Sequence, residues 1–316
     1  MRIVEITEFG GPEVLNINTV PDPEPGPGEV LIRVRATSVN PVDIQLRRGD
    51  YSDAVNLPAK IGVDVAGVIT KVGPGASRFE VGDEVFYVPR LLENEGSYAD
   101  FHVEQEAIVA KKPQSLTFAQ AAALPLAAGT AWECLIERAR LQAGQRVLIH
   151  GGSGGVGVYA LQIASGAGAY VATTCRSENF DMVKNLGANI CFDYREPDLY
   201  TRLASDPREQ FDVILDTVGG NTIENSLNLL KPFGQVVSIV DQSTPQNLVS
   251  GWAVNGSVHF VFTTQSAARL ERLSAFVDSG LLKPVIEKSY TLDEVVEAHR
   301  DIERGQRSGK IVLTTE

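Results

Sequence analysis

The sequence predicts an α/β protein in two parts: a doubly wound parallel sheet with helices on both faces, and a β-rich, barrel-like unit. Three observations carry this. The first third is a succession of short β-branched runs with no helical pattern between them, MRIVEIT, VLNINTV and EVLIRVRATSV among them, the texture of an all-β unit. From about residue 117 apolar strand runs alternate with amphipathic helices, as parallel strands covered on both faces require. At one strand-to-helix junction stands the glycine-rich stretch HGGSGGVG, residues 150–157.

Taken in order, the strand runs of the first part are separated by turn signals, and PDPEPGPGE (21–29) is a rigid connector, since alternating prolines resist helix and sheet interior alike. AGVITKVG and DEVFYVP add strands. TFAQAAALPLAAGTAWECLIERARL is helical in composition and broken at Pro125. RVLIH then leads into the helix VGVYALQIASGAG, and YVATTC into ENFDMVKNLGA. NICFDY, a segment with DLYTRLA, FDVILDTVG, NTIENSLNLLKP, GQVVSIV, GSVHFVF and AARLERLSAFVDSG continue the alternation. The closing segment holds one helix and a final strand, KIVLT, which is expected to return to the first part. The expected domains are therefore 1–122 with 286–316, discontinuous and β-rich, and 123–285, the parallel-sheet domain.

Composition narrows the function classes. The chain has 316 residues, 43% of them hydrophobic, and a net charge of −12. An acidic chain of this kind is a poor binder of nucleic-acid backbones. Three cysteines, Cys134, Cys175 and Cys191, form no CxxC, and an odd, sparse count fits a reducing compartment. The N-terminal stretch has no secretory pattern. The long uncharged stretch 113–132 reads as a buried helix with its entry loop, not a membrane span. A cytoplasmic protein is expected.

Gly152, Gly154 and Gly157 form GxGxxG between the strand RVLIH and the helix VGVYALQIA. In that setting the first glycine allows a tight turn, the second lets backbone approach a pyrophosphate, and the third lets helix and strand pack closely. With Ser153, Gly155 and Val156 they make a dinucleotide-binding loop of a Rossmann-like domain, its anion at the helix start. The next strand ends at Cys175 and is followed by Arg176 and Ser177, where an NAD site carries an acid. A guanidinium fork and a hydroxyl suit a 2′-phosphate, so NADPH is the expected cofactor. Arg176 also reads as a solvated surface arginine.

NPVDIQLRRGDY (40–51), IGVDVAGVITKVG (61–73), VGDEV (81–85), ALPLAAGTAW (123–132), HGGSGGVG and the ending SGKIVLT together resemble the medium-chain dehydrogenase/reductase superfamily over essentially the whole chain. The branch most resembled is the zinc-independent quinone oxidoreductases, related to zeta-crystallin. The resemblance implies a GroES-like β-rich barrel domain beside the Rossmann-like one. Zinc members of the superfamily place a cysteine where this chain has Asn40, and a His-Glu pair where it has Val63 and Asp64; their structural-zinc cysteines have no counterpart in 89–105. His102, His150, His259 and His299 are scattered, so no metal is expected.

The resemblance also implies site residues. Asn40 and Asp43 match a substrate-pocket motif and Tyr51 a tyrosine at the cleft mouth; beside Pro41, Asn40 and Asp43 also read as turn residues. Thr130 matches a threonine near the nicotinamide ribose, and Tyr194 one that packs at the 2′-phosphate end. Val218, Val240 and Phe262 would meet the nicotinamide half, and Lys310 lies in the segment that returns to the cofactor. Gln45 stands where some quinone reductases have a tyrosine, so the pocket is altered. Asp216 reads as a strand-end carboxylate.

Without a Lewis acid an unactivated alcohol is a poor substrate, whereas a quinone or an alkene conjugated to a carbonyl accepts hydride on carbon while charge spreads to oxygen. The protein then aligns the partners and donates hydrogen bonds, for which the Asn40 amide and Tyr51 hydroxyl are the expected donors. The expected activity is NADPH-dependent reduction of a quinone, with an α,β-unsaturated carbonyl as the second reading and an NADPH-binding structural or regulatory protein as the non-enzymatic one. The site is expected between the two domains, at the carboxyl ends of the parallel strands. The late apolar strand GSVHFVF suggests a homodimer.

Overall fold

The computed structural model describes residues 1–90, 95–206, 209–240, 245–305 and 308–315. The chain separates into two units, Met1–Leu126 with Thr264–Glu316, and Ala127–Thr263.

In the first unit, strands β1 (Arg2–Ile6), β2 (Asn16–Thr19), β3 (Glu29–Val39), β4 (Ala59–Lys60), β5 (Val65–Val72), β6 (Glu84–Tyr87), β7 (Phe101–Gln105) and β8 (Ala110–Lys111) follow one another with, among the described residues, a single α-helix, α1 (Pro41–Arg48), between them. Helix α2 (Phe118–Ala122) closes this stretch, and α3 (Pro125–Trp132) begins at its end and runs on into the second unit. The Pro125 break falls where the sequence places it: α2 stops before the proline and α3 begins on it, the one helical position that lacks nothing without an N–H. Strands β2, β1 and β4 form a small sheet of their own.

The second unit carries β9 (Arg146–His150), α4 (Gly157–Gly166), β10 (Tyr170–Cys175), α5 (Phe180–Asn185), β11 (Ile190–Asp193), α6 (Leu199–Ala204), β12 (Phe211–Asp216), α7 (Thr222–Leu227), β13 (Leu230–Ser238), α8 (Val249–Ala253) and β14 (Ser257–Phe260). Its sheet runs β11-β10-β9-β12-β13-β14, every pair parallel. The order reverses at β9, and such a reversal opens a crevice at the carboxyl end of the sheet. Leu148, Ala172, Ile214 and Val236 from four neighbouring strands pack with Leu199, Leu203, Ile223 and Leu227 from the helices, all buried. Each such leucine or isoleucine contributes on the order of 1.5–3 kcal/mol by leaving water.

The chain then returns to the first unit as α9 (Ala267–Asp278), β15 (Ile286–Thr291), α10 (Val295–Glu303) and β16 (Lys310–Thr314). Strand β16 pairs antiparallel with β3, and β15 parallel with β16, which completes a seven-stranded sheet. The expected return of KIVLT is thus present, with β15 as an additional strand. Helix α9 belongs to the first unit, although its place after a strand run reads as one more turn of the alternation. Amphipathic periodicity marks a helix with one face to cover and does not say which sheet covers it. Among the described residues no helix is long and apolar enough to cross a membrane.

Candidate active site

The glycine loop follows β9 and opens α4. Its left-handed turn residue is Gly151, at φ +73°, and not Gly152 as the motif suggests. Gly152 is required for another reason: a Cβ there would lie 2.0 Å from Thr173 Oγ1 on the neighbouring strand. At Gly157 a Cβ would lie 2.1 Å from the Gly151 carbonyl oxygen, so helix and turn close directly on each other. Gly154 is less crowded, its nearest neighbour 3.2 Å away. Among the described residues no backbone carbonyl takes the N–H groups of Gly155 or Val156. Bare N–H groups before a helix start form a cradle for an anion, and Ser153 lies in the same turn.

The remaining residues expected at a cofactor in the second unit occupy equivalent places. Arg176 and Ser177 follow β10, Tyr194 follows β11, and Val218, Val240 and Phe262 lie just past the ends of β12, β13 and β14. Because all six strands are parallel, their carboxyl ends form one edge, and the loop 151–157 is on it too. At one end of this edge Arg176 Nε donates to the Tyr194 hydroxyl at 2.9 Å. Beside them Arg195 is gripped by Asp193 at 2.6 Å and Glu178 at 3.0 Å, and its Nη2 donates to Ser177 Oγ at 3.1 Å. Hydrogen bonds from Arg195 hold the Asp193 carboxyl well below its ordinary range. Arg195 is absent from the sequence expectations; its signal was its place directly after Tyr194 at a strand end.

At the other end Val218 and Phe262 are exposed and Val240 is half-buried. The loop bearing Val218 is held by Asp216, which is buried: its Oδ1 accepts the N–H groups of Val218 (2.9 Å) and Gly219 (3.0 Å), and its Oδ2 accepts from Ser238 Oγ at 2.8 Å. Asp216 is therefore the strand-end carboxylate that its position suggests. The Thr130 hydroxyl donates to Thr263 Oγ1 at 3.0 Å, which in turn donates to Glu133 Oε2 at 3.0 Å. His150 is a neutral pin: its ring nitrogens meet Thr174 Oγ1 and Ser226 Oγ at 3.1 and 3.0 Å, and burial pulls its pKa down to about 4.

In the first unit the candidate residues gather around one buried carboxylate. Asp64 accepts the Leu126 N–H at 2.7 Å and the Asn40 Nδ2–H at 2.8 Å, as well as the Ser38 hydroxyl. Lys310 Nζ stands 3.8 Å from Asp64 Oδ2 and donates to the Asn40 side-chain carbonyl and to the Val39 carbonyl. Burial raises the Asp64 pKa, against the pull of the Lys310 ammonium; it lowers that of Lys310, against the pull of Asp64. Lys310 thus sits beside Asn40, in the same unit. Asn40 is 2% exposed and both ends of its amide are engaged. It does not present the outward donor expected of it.

Asp43 is buried as well, and its Oδ2 accepts the Asn40 backbone N–H at 2.8 Å, closing the first turn of α1. Burial pushes its carboxyl up to about 7 despite that hydrogen bond. Of the two readings open for Asp43, the geometry is that of the turn. Tyr51, half-buried after α1, packs its ring on the core of the first unit.

Residues 26–129 match the alcohol dehydrogenase GroES-like domain and residues 186–313 the zinc-binding dehydrogenase family. The chain is 37% identical to a quinone oxidoreductase of Pongo abelii, over 99% of this chain and 97% of that protein. It is 34% identical to a 2-methylene-furan-3-one reductase of Solanum lycopersicum, over 99% of this chain and 79% of the other. Among solved structures, mycobacterial Rv1454c in complex with NADPH superposes with a TM-score of 0.87 at 30% identity, over 99% of this chain and 100% of that one. The chain therefore belongs to the medium-chain dehydrogenase/reductase superfamily, in its quinone oxidoreductase branch, and is an oxidoreductase.

Proposed function

We propose that this oxidoreductase uses NADPH to reduce an electron-poor acceptor, a quinone first of all, without a metal. The observation that carries the reading is the alignment of six strand-end loops on one edge of a parallel sheet. A pyrophosphate fits the cradle, where Gly152 and Gly157 leave no room for a side chain and the Gly155 and Val156 N–H groups have no backbone acceptor. Arg176 and the Tyr194 hydroxyl, joined at 2.9 Å, offer donors suited to a 2′-phosphate. The NADPH complex of the mycobacterial structural relative supports the same cofactor. Val218, Val240 and Phe262 would cover the nicotinamide with apolar contacts, and Thr130 would meet its ribose.

Bound NADPH supplies the hydride. The residues supply alignment and exclude water, which is what an acceptor that delocalises charge onto its own oxygen requires. We assign the hydrogen bond to that oxygen to Tyr51, since the Asn40 amide is spent on Asp64 and Lys310. A zinc ion does not fit the Asn40–Asp64 position: an amide and one carboxylate are a poor donor set, and the buried Lys310 ammonium would repel a second cation.

Following NADPH absorbance with an ortho-quinone, a para-quinone and an enone tests the reading; quinone-dependent oxidation that survives a chelator is the expected result. Faster turnover of the enone would favour double-bond reduction, which the tomato relative supports. No oxidation with any acceptor would leave an NADPH-binding protein without turnover. We also infer a homodimer: β14 is the outermost strand of its sheet and carries the exposed Phe260, an edge that association would cover. Light scattering with the mass of one chain would refute it.

A further inference from the structure

The two arginines after β10 and β11 are not equivalent. Among the described residues the Arg176 side chain makes one hydrogen bond, to the neutral Tyr194 hydroxyl, and pairs with no carboxylate. Arg195 is fully countered. Its Nη2 faces Asp193 Oδ2 at 2.6 Å and Glu178 Oε2 at 3.0 Å, its Nη1 faces Glu178 Oε1 at 3.3 Å, and its Nε faces Asp193 at 3.0 and 3.2 Å. The same Nη2 donates to Ser177 Oγ. Two cations and two anions leave this corner neutral as a whole, with its free positive charge on Arg176.

The two carboxylates differ in how firmly they are held. Asp193 has a side chain 13% exposed and also accepts the Ser177 N–H at 3.1 Å and the Arg195 N–H at 2.9 Å, so it fastens the two loops together. Glu178 has a side chain 65% exposed; its carboxylate accepts its own backbone N–H and otherwise meets Arg195. An exposed pair of this kind is weak and exchangeable. A dianionic phosphate arriving beside Ser177 would compete with Glu178 for the Arg195 fork, and it would be repelled by Glu178 until that exchange occurred.

We propose that Glu178 sets the cofactor selectivity of this enzyme: by sharing Arg195 with the 2′-phosphate it holds the preference for NADPH over NADH to a modest level. The inference rests on the NADPH reading above. It makes Arg195 a second phosphate ligand whose contribution is attenuated by a built-in competitor, and it predicts that the enzyme also accepts NADH. Asp193 stays in place and keeps the guanidinium aimed.

The test is calorimetric binding of adenosine 2′,5′-bisphosphate and of 5′-AMP to the full-length protein, which reads the 2′-phosphate without turnover. In Glu178→Gln the ratio of the two affinities should rise about threefold to tenfold, the effect of removing one charge a few ångströms from the phosphate near the surface. In Arg195→Gln it should fall, and in the double variant the Glu178→Gln gain should vanish. Unchanged melting temperatures would show that these exposed substitutions leave the fold intact. A wild-type preference for the bisphosphate that Glu178→Gln leaves unchanged overturns the proposal while the NADPH reading stands. Equal binding of both ligands by wild type, Glu178→Gln and Arg176→Gln alike overturns the NADPH reading, and the proposal with it. Equal binding by wild type that becomes preference in Glu178→Gln supports it.

Discussion

The polar residues of the two units are organised in opposite ways. Along the sheet edge of the second unit they stand on loops past the strand ends, joined by exposed contacts, and Tyr194, Arg195 and Glu178 remain open to water. Around Asp64 in the first unit, Ser38, Asn40, Asp43 and Lys310 are buried and, save for Asp43, satisfy one another directly. The difference teaches where substitutions should be silent for folding and audible in binding, and where the reverse holds. An edge whose contacts are exposed tolerates loss of one member, because water replaces the lost partner. A closed buried cluster does not, because removing one partner strands the charge of the other.

The strongest way to break the comparison is at Lys310. Lys310→Met leaves the Asp64 carboxylate buried without its cation and should cost about 3–5 kcal/mol in chemical denaturation. The pair Lys310→Met with Asp64→Asn should recover much of that loss. A single variant as stable as wild type would mean that the cluster is not cooperative.

Next is Gly157→Ala. Its Cβ would meet the Gly151 carbonyl at 2.1 Å, and a forced fit of this kind costs roughly 1–3 kcal/mol. It should also spread the cradle, so that binding of 5′-AMP, and not only the melting temperature, falls. At this edge position folding and binding should fail together.

Asp43 sharpens the contrast through pH. Its folded pKa, about 7, lies above the ordinary value of 3.8, so the folded state holds the proton more tightly than the unfolded one. The stability this confers is complete below about pH 4 and is lost as pH rises through 7. Asp43→Asn, which keeps an acceptor for the Asn40 N–H, should flatten that part of the stability profile. His150 has the opposite sign: its lowered pKa of about 4 removes stability as pH falls from 6.5. Denaturation of the wild type and of Asp43→Asn between pH 4 and 8 separates the two contributions.

The smallest effect is expected at Tyr194→Phe. It removes the 2.9 Å bond to Arg176 at an exposed site, about 0.5 kcal/mol or roughly twofold in 2′,5′-bisphosphate affinity, with no change in melting temperature.

The same contrast explains what could be read in advance. The glycine loop and the Arg176–Ser177 pair are legible because each is local, directly behind a strand run; Tyr194, Val218, Val240 and Phe262 follow from the resemblance alone. GxGxxG and CRS needed no knowledge of distant segments. The turn glycine was misassigned by one position because Gly151 and Gly152 are adjacent and only backbone angles tell which takes φ +73°. The buried cluster was legible only in part. Asn40, Asp43 and Lys310 emerged as candidates through resemblance, but Lys310 and Asn40 are separated by 270 residues, and no local pattern states that their side chains meet or that the amide is consumed inward. Arg195 was hidden by its own neighbours, since an arginine among Asp193 and Glu196 reads as surface charge. Helix α9 and strand β15 were misread or missed for a related reason: periodicity describes an element and leaves its partner open.

The pairing of β16 with β3 has a consequence for how the chain is made. Residues 310–314 are synthesised after the whole of the second unit, so a nascent chain has everything it needs for that unit's sheet while the first still lacks a central strand. The Asp64 carboxylate must wait for the same late segment to bring its lysine. Translation therefore delivers every residue of the second unit before the last segment of the first. A chain that ends before Lys310 should carry a protease-resistant second-unit sheet and an unfinished first-unit sheet.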